Sequence, residues 1–293
     1  MAWSGILEVL PQTILSGLIM GLVYALIAVG LSLIYGLMDI VNFAHGEYMM
    51  VAMYASFFAW SLLGLDPLVS LPLVALAMAG MGVLTYFGII KRLLTAPGLA
   101  QIFGTYGVVV LLRGLAQFLW TADFRTVTDP IATGRVSIIG LNVGTPKIVA
   151  AVGAILTLGL LWLILTKTKL GLAVRATASN RYAAELMGIN TDRVLAFGWA
   201  LGAGSTGVAG GLLVNFNYVF PQVGALFGLL AFIAVALGGF GNLFGAFVGS
   251  IFIGLFEAVG GVIIGPSYKY AIVFAIYLIA VFIRPQGLFG KSS

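Results

Sequence analysis

Residues 167–193 read KTKLGLAVRATASNRYAAELMGINTDR and form an island of charge in an otherwise greasy chain. Lys167, Lys169, Arg175, Arg181, Glu185, Asp192 and Arg193 all fall inside it. Before it stand 19 uncharged residues, Ile148 to Thr166, and after it no charge occurs from Val194 to Phe256. Ionised groups are costly in hydrocarbon, so this contrast marks a solvent-facing loop between membrane spans. Five of the seven charges are basic, which assigns the loop to the cytoplasmic side. It is also patterned. Ala178, Tyr182, Leu186 and Ile189 recur at roughly helical spacing, Arg181 and Glu185 form an i,i+4 pair, and Gly188 supplies a stop. Ser179 or Asn180 offers the cap at its start. The spacing predicts a short surface helix whose apolar face seats either in a soluble partner or on the lipid headgroups. Asp192, just beyond, reads as a solvated charge.

Composition agrees with a membrane-embedded chain. Hydrophobic residues make up 61%, charged residues 8%, and the mean hydropathy is +1.15. Over 293 residues that suffices for eight or nine helical spans of roughly 20 residues each. We therefore expect an all-α polytopic membrane protein, residues 1–293 forming a single transmembrane domain with some helices broken. The first ten residues lack a basic cluster and the following apolar run is too long for a signal-peptide core, so no cleaved leader is expected. The 40 glycines suit closely packed membrane helices. There is no cysteine, one histidine and few carboxylates, so disulfides and a metal site are not expected. The net charge of +5 comes largely from loops without an aromatic-basic patch, which gives no ground for nucleic-acid binding.

Spans are expected from Val9 to Met38, Tyr48 to Leu65, Leu68 to Ile90, Ala100 to Trp120 and Ile148 to Thr166, with further crossings between Val194 and Glu257 and a last span from Tyr270 to Ile283. Counted as full spans they number nine. That places basic residues at 91–92, 167–193 and 284–291 on the cytoplasmic side, with the N-terminus outside and the C-terminus inside. Residues 121–147 then form the main extracytoplasmic loop, where Arg135 to Val143 predicts a small hairpin. Ala25–Leu31 and Ala231–Leu237 agree at five of seven positions, a faint internal echo of the repeats on which transporters are built.

Three places carry candidate chemistry. Asn42-Phe-Ala-His45-Gly46-Glu47 is either a helix break lining a permeation path or gate, with Asn42 capping the next span, or an ordinary turn. Gly238-Gly239-Phe240-Gly241-Asn242 is either a close backbone approach or a tight turn, and the pieces around it are either full spans or half-helices. Arg113 and Glu257 are charges within spans. They are expected to face the interior and to pair, with each other or, if Glu257 lies at the outer interface, separately. No enzyme constellation is present. Gly204-Ser205-Thr206-Gly207 with His45 makes no protease motif, and no Walker A loop occurs.

Taken in order, Gly30-Leu-Ser-Leu-Ile-Tyr-Gly36, Asn42-Phe-Ala-His-Gly-Glu47, Arg175-Ala with Asn180, Ala183-Ala184 and Gly188-Ile189-Asn190, Ala234-Val-Ala-Leu-Gly-Gly-Phe-Gly241, and Arg284-Pro-Gln-Gly-Leu-Phe-Gly290 resemble the permease subunits of branched-chain amino acid ABC importers. The resemblance runs from near residue 17 to residue 290. It implies half of a transmembrane pathway in a cell inner membrane, completed by a second, homologous permease. It also implies a periplasmic or extracellular binding protein that delivers the small-molecule substrate, and two cytoplasmic ATPase subunits. No cofactor is expected on this chain; ATP belongs to the partners. Arg181, Tyr182, Glu185, Leu186 and Gly188 would supply the helix that couples to the ATPase, and Asn42, His45, Gly46, Glu47, Gly238, Gly239 and Gly241 the path or gate. Related systems import urea, short amides or small organic acids. A self-sufficient secondary transporter is the more remote reading.

Overall fold

The computed structural model describes residues 3–138 and 140–290. Among them nine helices have 15 residues or more: α1 (Trp3–Met38), α2 (His45–Leu63), α3 (Pro67–Thr85), α5 (Gly98–Trp120), α6 (Thr145–Lys167), α9 (Thr191–Leu213), α10 (Val223–Gly238), α11 (Leu243–Ile263) and α12 (Lys269–Ile283). A π-turn, Tyr86–Ile90, joins α3 to the single turn α4 (Lys91–Leu93). Two short helices, α7 (Lys169–Ser179) and α8 (Arg181–Leu186), lie in the charged loop. The only strands among the described residues are β1 (Arg135–Ile138) and β2 (Leu141–Gly144), paired antiparallel with Val136 opposite Val143, as the β-branched flanks predicted.

Among the described residues, six helical stretches are long and apolar enough to cross a membrane; α2, α9 and α10 are the other three long helices. Burial separates centre from periphery. In the most apolar window of α1, 67% of residues are buried, against 22% in α5 and 6% in the stretch ending in α12. The outer helices instead expose Leu73, Leu76, Leu84, Phe103, Leu111 and Phe282, the surface a lipid-facing ring needs.

Between helices in lipid the hydrophobic effect offers little, so close van der Waals packing holds the bundle. Glycine makes this possible along α1. A Cβ on Gly21 would lie 2.8 Å from the Cα of Ile251, and one on Gly254 would lie 2.4 Å from the carbonyl oxygen of Gly17. The helices α1 and α11 therefore touch backbone to backbone.

The last described residues fold back onto the α10–α11 turn. Leu288 and Phe289 donate their N–H groups to the carbonyls of Leu237 and Gly238, which end α10, and Asn242 donates through Nδ2 to the Phe289 carbonyl. These bonds satisfy acceptors that a helix end leaves orphaned.

The echo between Ala25–Leu31 and Ala231–Leu237 has unequal surroundings. The first lies within unbroken α1, seven residues short of its end, whereas the second runs directly into the end of α10.

Candidate functional site

The break at Asn42–Glu47 is not an ordinary surface turn. His45 donates from Nε2 to the carbonyl of Ile27 at 2.9 Å, since a carbonyl only accepts. Ile27 lies eleven residues before the end of α1, about 16 Å back along its axis at 1.5 Å per residue. The chain thus doubles back beside α1 and starts α2 in the interior. Asn42, His45 and Glu47 are all buried, at 2%, 1% and 2% exposure. Asn42 does not cap α2 as expected; Ala44 occupies that position, and Asn42 Oδ1 accepts from the Ala44 N–H at 3.1 Å. Two residues of spacing close a local turn instead.

The first turns of α2 and α10 face one another here. Gly46 allows it: a Cβ there would lie 2.1 Å from the carbonyl oxygen of Gly224 and 2.8 Å from the Cα of Gly228. Glu47, in the first turn of α2, also lies against the first turn of α10, where a Cβ on Gly224 would come within 2.8 Å of its Oε2. Two positive helix ends therefore flank one carboxylate. Arg113 of α5 supplies the countercharge, binding Glu47 Oε1 through Nη2. These groups line a cavity of about 300 Å³ whose apolar walls include Leu31, Phe43, Val109, Leu229 and Phe232.

Arg113 and Glu257 do not pair with each other. Glu257, on α11, receives Lys269 Nζ at 2.5 Å and the Tyr24 hydroxyl at 2.5 Å. Both charges face the interior and both are paired, but with partners that spacing along the chain does not reveal.

The Gly238–Asn242 segment combines both expectations. It is a tight turn, with Gly239 at φ 105° and Gly241 at φ 77°, conformations that favour glycine. It is also a close approach, since a Cβ on Gly241 would meet the Cα of Gly36 at 3.2 Å near the end of α1. The helices on either side are not equal halves: α11 has 21 residues, and α10, whose start lies beside Gly46, has 16.

In the charged loop, one predicted helix becomes two. Asn180 stands extended between α7 and α8 and caps α8, its Oδ1 accepting from the Ala183 N–H at 2.9 Å. Tyr182 and Leu186 point outward, at 72% and 71% exposure, and Ala178 is exposed as well. Ile189 departs from the expected face and packs into the bundle, while Met187, not singled out by the spacing, is 83% exposed. Gly188 ends the segment at φ 80°.

Asp192 is a hub rather than a free solvated charge. It binds Lys91 at 2.6 Å and Arg181 at 3.5 Å, and accepts from the Tyr86 hydroxyl at 3.2 Å. Arg181 also binds Glu185 at 3.2 Å, and Thr191 donates to Glu185 at 2.5 Å. Lys91, hydrogen-bonded to Asp192, holds its carboxyl below the usual Asp range, and the Thr191 hydroxyl with Arg181 lowers that of Glu185. This network ties α8 to α4 and to the start of α9, leaving the Tyr182–Leu186–Met187 tip unpartnered. No cluster that would hold a metal occurs among the described residues.

A polytopic helical bundle with a buried, charge-bearing helix break and an anchored apolar tip at its basic end has the form of a membrane permease. The family model for the permease component of branched-chain amino acid transport systems matches residues 13–281, so the chain belongs to that family. It is 31% identical to the high-affinity branched-chain amino acid transport system permease protein BraD of Pseudomonas aeruginosa, over 96% of this chain and 95% of that protein. The corresponding LivH protein of Escherichia coli K12 is also 31% identical over 96% of this chain and 95% of its own length. A probable branched-chain amino acid transport permease protein LivH of Methanocaldococcus jannaschii is 30% identical over 90% and 88%. No solved structure matches the chain.

Proposed function

We propose that this chain forms half of the transmembrane pathway of an importer for branched-chain or other hydrophobic amino acids. A second homologous permease completes the path, two cytoplasmic ATPase subunits drive it, and an extracytoplasmic binding protein delivers the solute. The protein sits in the cell inner membrane with its N-terminus outside and the basic end, with α8, in the cytoplasm. The observation that carries this reading is the Tyr182–Leu186–Met187 tip on a charge-anchored helix, in a chain that matches the permease family along nearly its whole length. An apolar tip held in place by polar contacts suits a socket in a soluble subunit. Lipid headgroups alone would not call for such anchoring. The cavity beside Glu47 is bordered by the exposed side chains of Phe43, Tyr106 and Leu229, which suits a path that another subunit closes.

The test is reconstitution of the complete importer in vesicles with its binding protein. Leucine uptake that requires ATP and both permeases supports the reading. Uptake by this chain alone on an ion gradient would establish a secondary transporter, and uptake confined to urea, short amides or small organic acids would replace the substrate class.

A further inference from the structure

The helices α1 and α6 touch at one end and part at the other. Away from the charged loop, Ile19 of α1 and Ala151 of α6 pack in one cluster with Leu15, Leu22 and Ile148. Further along, Val29, Ser32, Leu33, Gly36 and Leu37 of α1 line one side of a groove of about 470 Å³. Leu158, Leu161, Trp162, Leu165 and Thr166 of α6 line the other. Both sets follow the spacing i, i+3, i+4, i+7, i+8, so one whole face of each helix borders the gap. Phe244 and Phe247 of α11 supply a third side.

Helix α7 lies across the end nearest the charged loop. Gly171 lets the chain turn sharply there, since a Cβ would come within 2.2 Å of the Ile164 carbonyl oxygen. Val174 packs in one cluster with Leu33, Leu37 and Leu165, and the next residue, Arg175, is the one charged residue among those lining the groove. Arg175 has no ion pair among the described residues, nor have Lys167 and Lys169 at the joint between α6 and α7. The groove is therefore apolar along its length and cationic at its mouth.

Dimensions and charge select an occupant. Val29 to Leu37 covers about 12 Å of helix axis, against about 15 Å for the hydrocarbon of one leaflet. An apolar groove at that depth suits an acyl chain, and an unpaired arginine at headgroup level suits a phosphate. No carboxylate lines the groove, so nothing there complements the cation of a zwitterionic headgroup. We propose that the groove between α1, α6 and α11 binds an anionic phospholipid of the leaflet bordering the basic end, with an acyl chain between the helices and the phosphate on Arg175. A second permease is the competing occupant, but the cavity beside Glu47 offers it a different side: α5 packs against α2, whereas α6 packs against α1 and α9. The inference goes beyond the transport reading and needs only that the basic end lie at a membrane surface.

The test places the assembled importer in lipid discs that carry, at equal mole fraction, phosphatidylglycerol or phosphatidylcholine with a photoactivatable diazirine in the acyl chain. Mass spectrometry of the digested chain locates the label. We expect label on Ser32, Leu33, Leu161 and Leu165, with phosphatidylglycerol favoured about fivefold, the worth of one basic residue at an anionic surface. Arg175→Gln should bring that preference close to one, and Arg175→Lys should keep most of it. Leu160 and Leu163, exposed on α6 outside the groove, report bulk lipid and should show a lower preference that Arg175→Gln leaves unchanged. Should that variant fail to assemble, the native preference in the groove, compared with that at Leu160 and Leu163, decides alone. Equal labelling of the groove by both lipids, or a preference unchanged in Arg175→Gln, overturns the site. Label at Leu160 and Leu163 with none in the groove also overturns it and gives the groove to protein. Leucine uptake by the same complex, measured in parallel, tests the transport reading separately.

Discussion

Replacing Leu186 with Asp puts a carboxylate on the tip of α8, where most of the leucine side chain is left uncovered by its own subunit. Leu186 is 71% exposed, so most of its apolar surface is available for burial by a partner. Full burial of such a side chain is worth about 1.5–3 kcal/mol, and about seven-tenths of that, roughly 1–2 kcal/mol, is what docking would gain here. Losing it weakens association about fivefold to thirtyfold, since each 1.4 kcal/mol is a factor of about ten. An unpaired carboxylate carried into the socket raises the cost further. The assay is ATP hydrolysis stimulated by loaded binding protein, with co-purification of the ATPase as a second signal. Leu186→Met, which keeps size and polarity, should restore both. Membrane insertion should survive Leu186→Asp, because α8 is held by Arg181 and Asn180 rather than by Leu186. Full coupling and unchanged co-purification in Leu186→Asp would refute the argument and return α8 to the lipid surface.

Asp192→Asn removes the shared partner of Lys91 and Arg181 and should cut coupled ATP hydrolysis several-fold, whereas Arg193→Gln, at an exposed position without an ion pair among the described residues, should leave it intact; equal effects would deny the hub. Glu185 and Asp192 both have lowered folded-state values, so the anchoring they provide is fully present above their ordinary values of 4.5 and 3.8 and is lost as pH falls through the lowered ones. Protection of the α8 amides, measured against the intrinsic exchange rate at each pH, should therefore hold at neutral pH and fall only in strongly acidic buffer, and a fall in protection near pH 6 to 7 would contradict it. Gly46→Ala drives a methyl group into the Gly224 carbonyl and should cost about 1–3 kcal/mol or more, read as lower thermal stability in detergent together with lost uptake; an unaffected variant would mean that α2 and α10 do not meet there. The native chain has no cysteine, so Thr133→Cys should react with an impermeant thiol reagent in intact cells and Ser179→Cys should not, the reverse pattern inverting the orientation.

Features that depend on local solvation are legible residue by residue. The cost of placing charge in hydrocarbon is felt residue by residue, so the uncharged runs marked the spans, the 167–193 island marked the basic loop, and Gly188 and Asn180 marked ends of short helices. The hairpin at Arg135–Val143 was legible for a similar reason, since β-branched flanks and a turn glycine act over a few residues. The choice of partners was not legible. Arg113 meets Glu47 across 66 positions, Lys91 meets Asp192, and Glu257 finds Lys269 and Tyr24 rather than Arg113. Nor did spacing reveal that α2 starts beside Ile27, that Ile189 turns inward while Met187 turns outward, or that the tail closes the end of α10. Local hydropathy requires only that a buried charge or a broken backbone be satisfied. Which groups satisfy it is decided by how closely the helices approach, and that is set by glycines packing across the bundle.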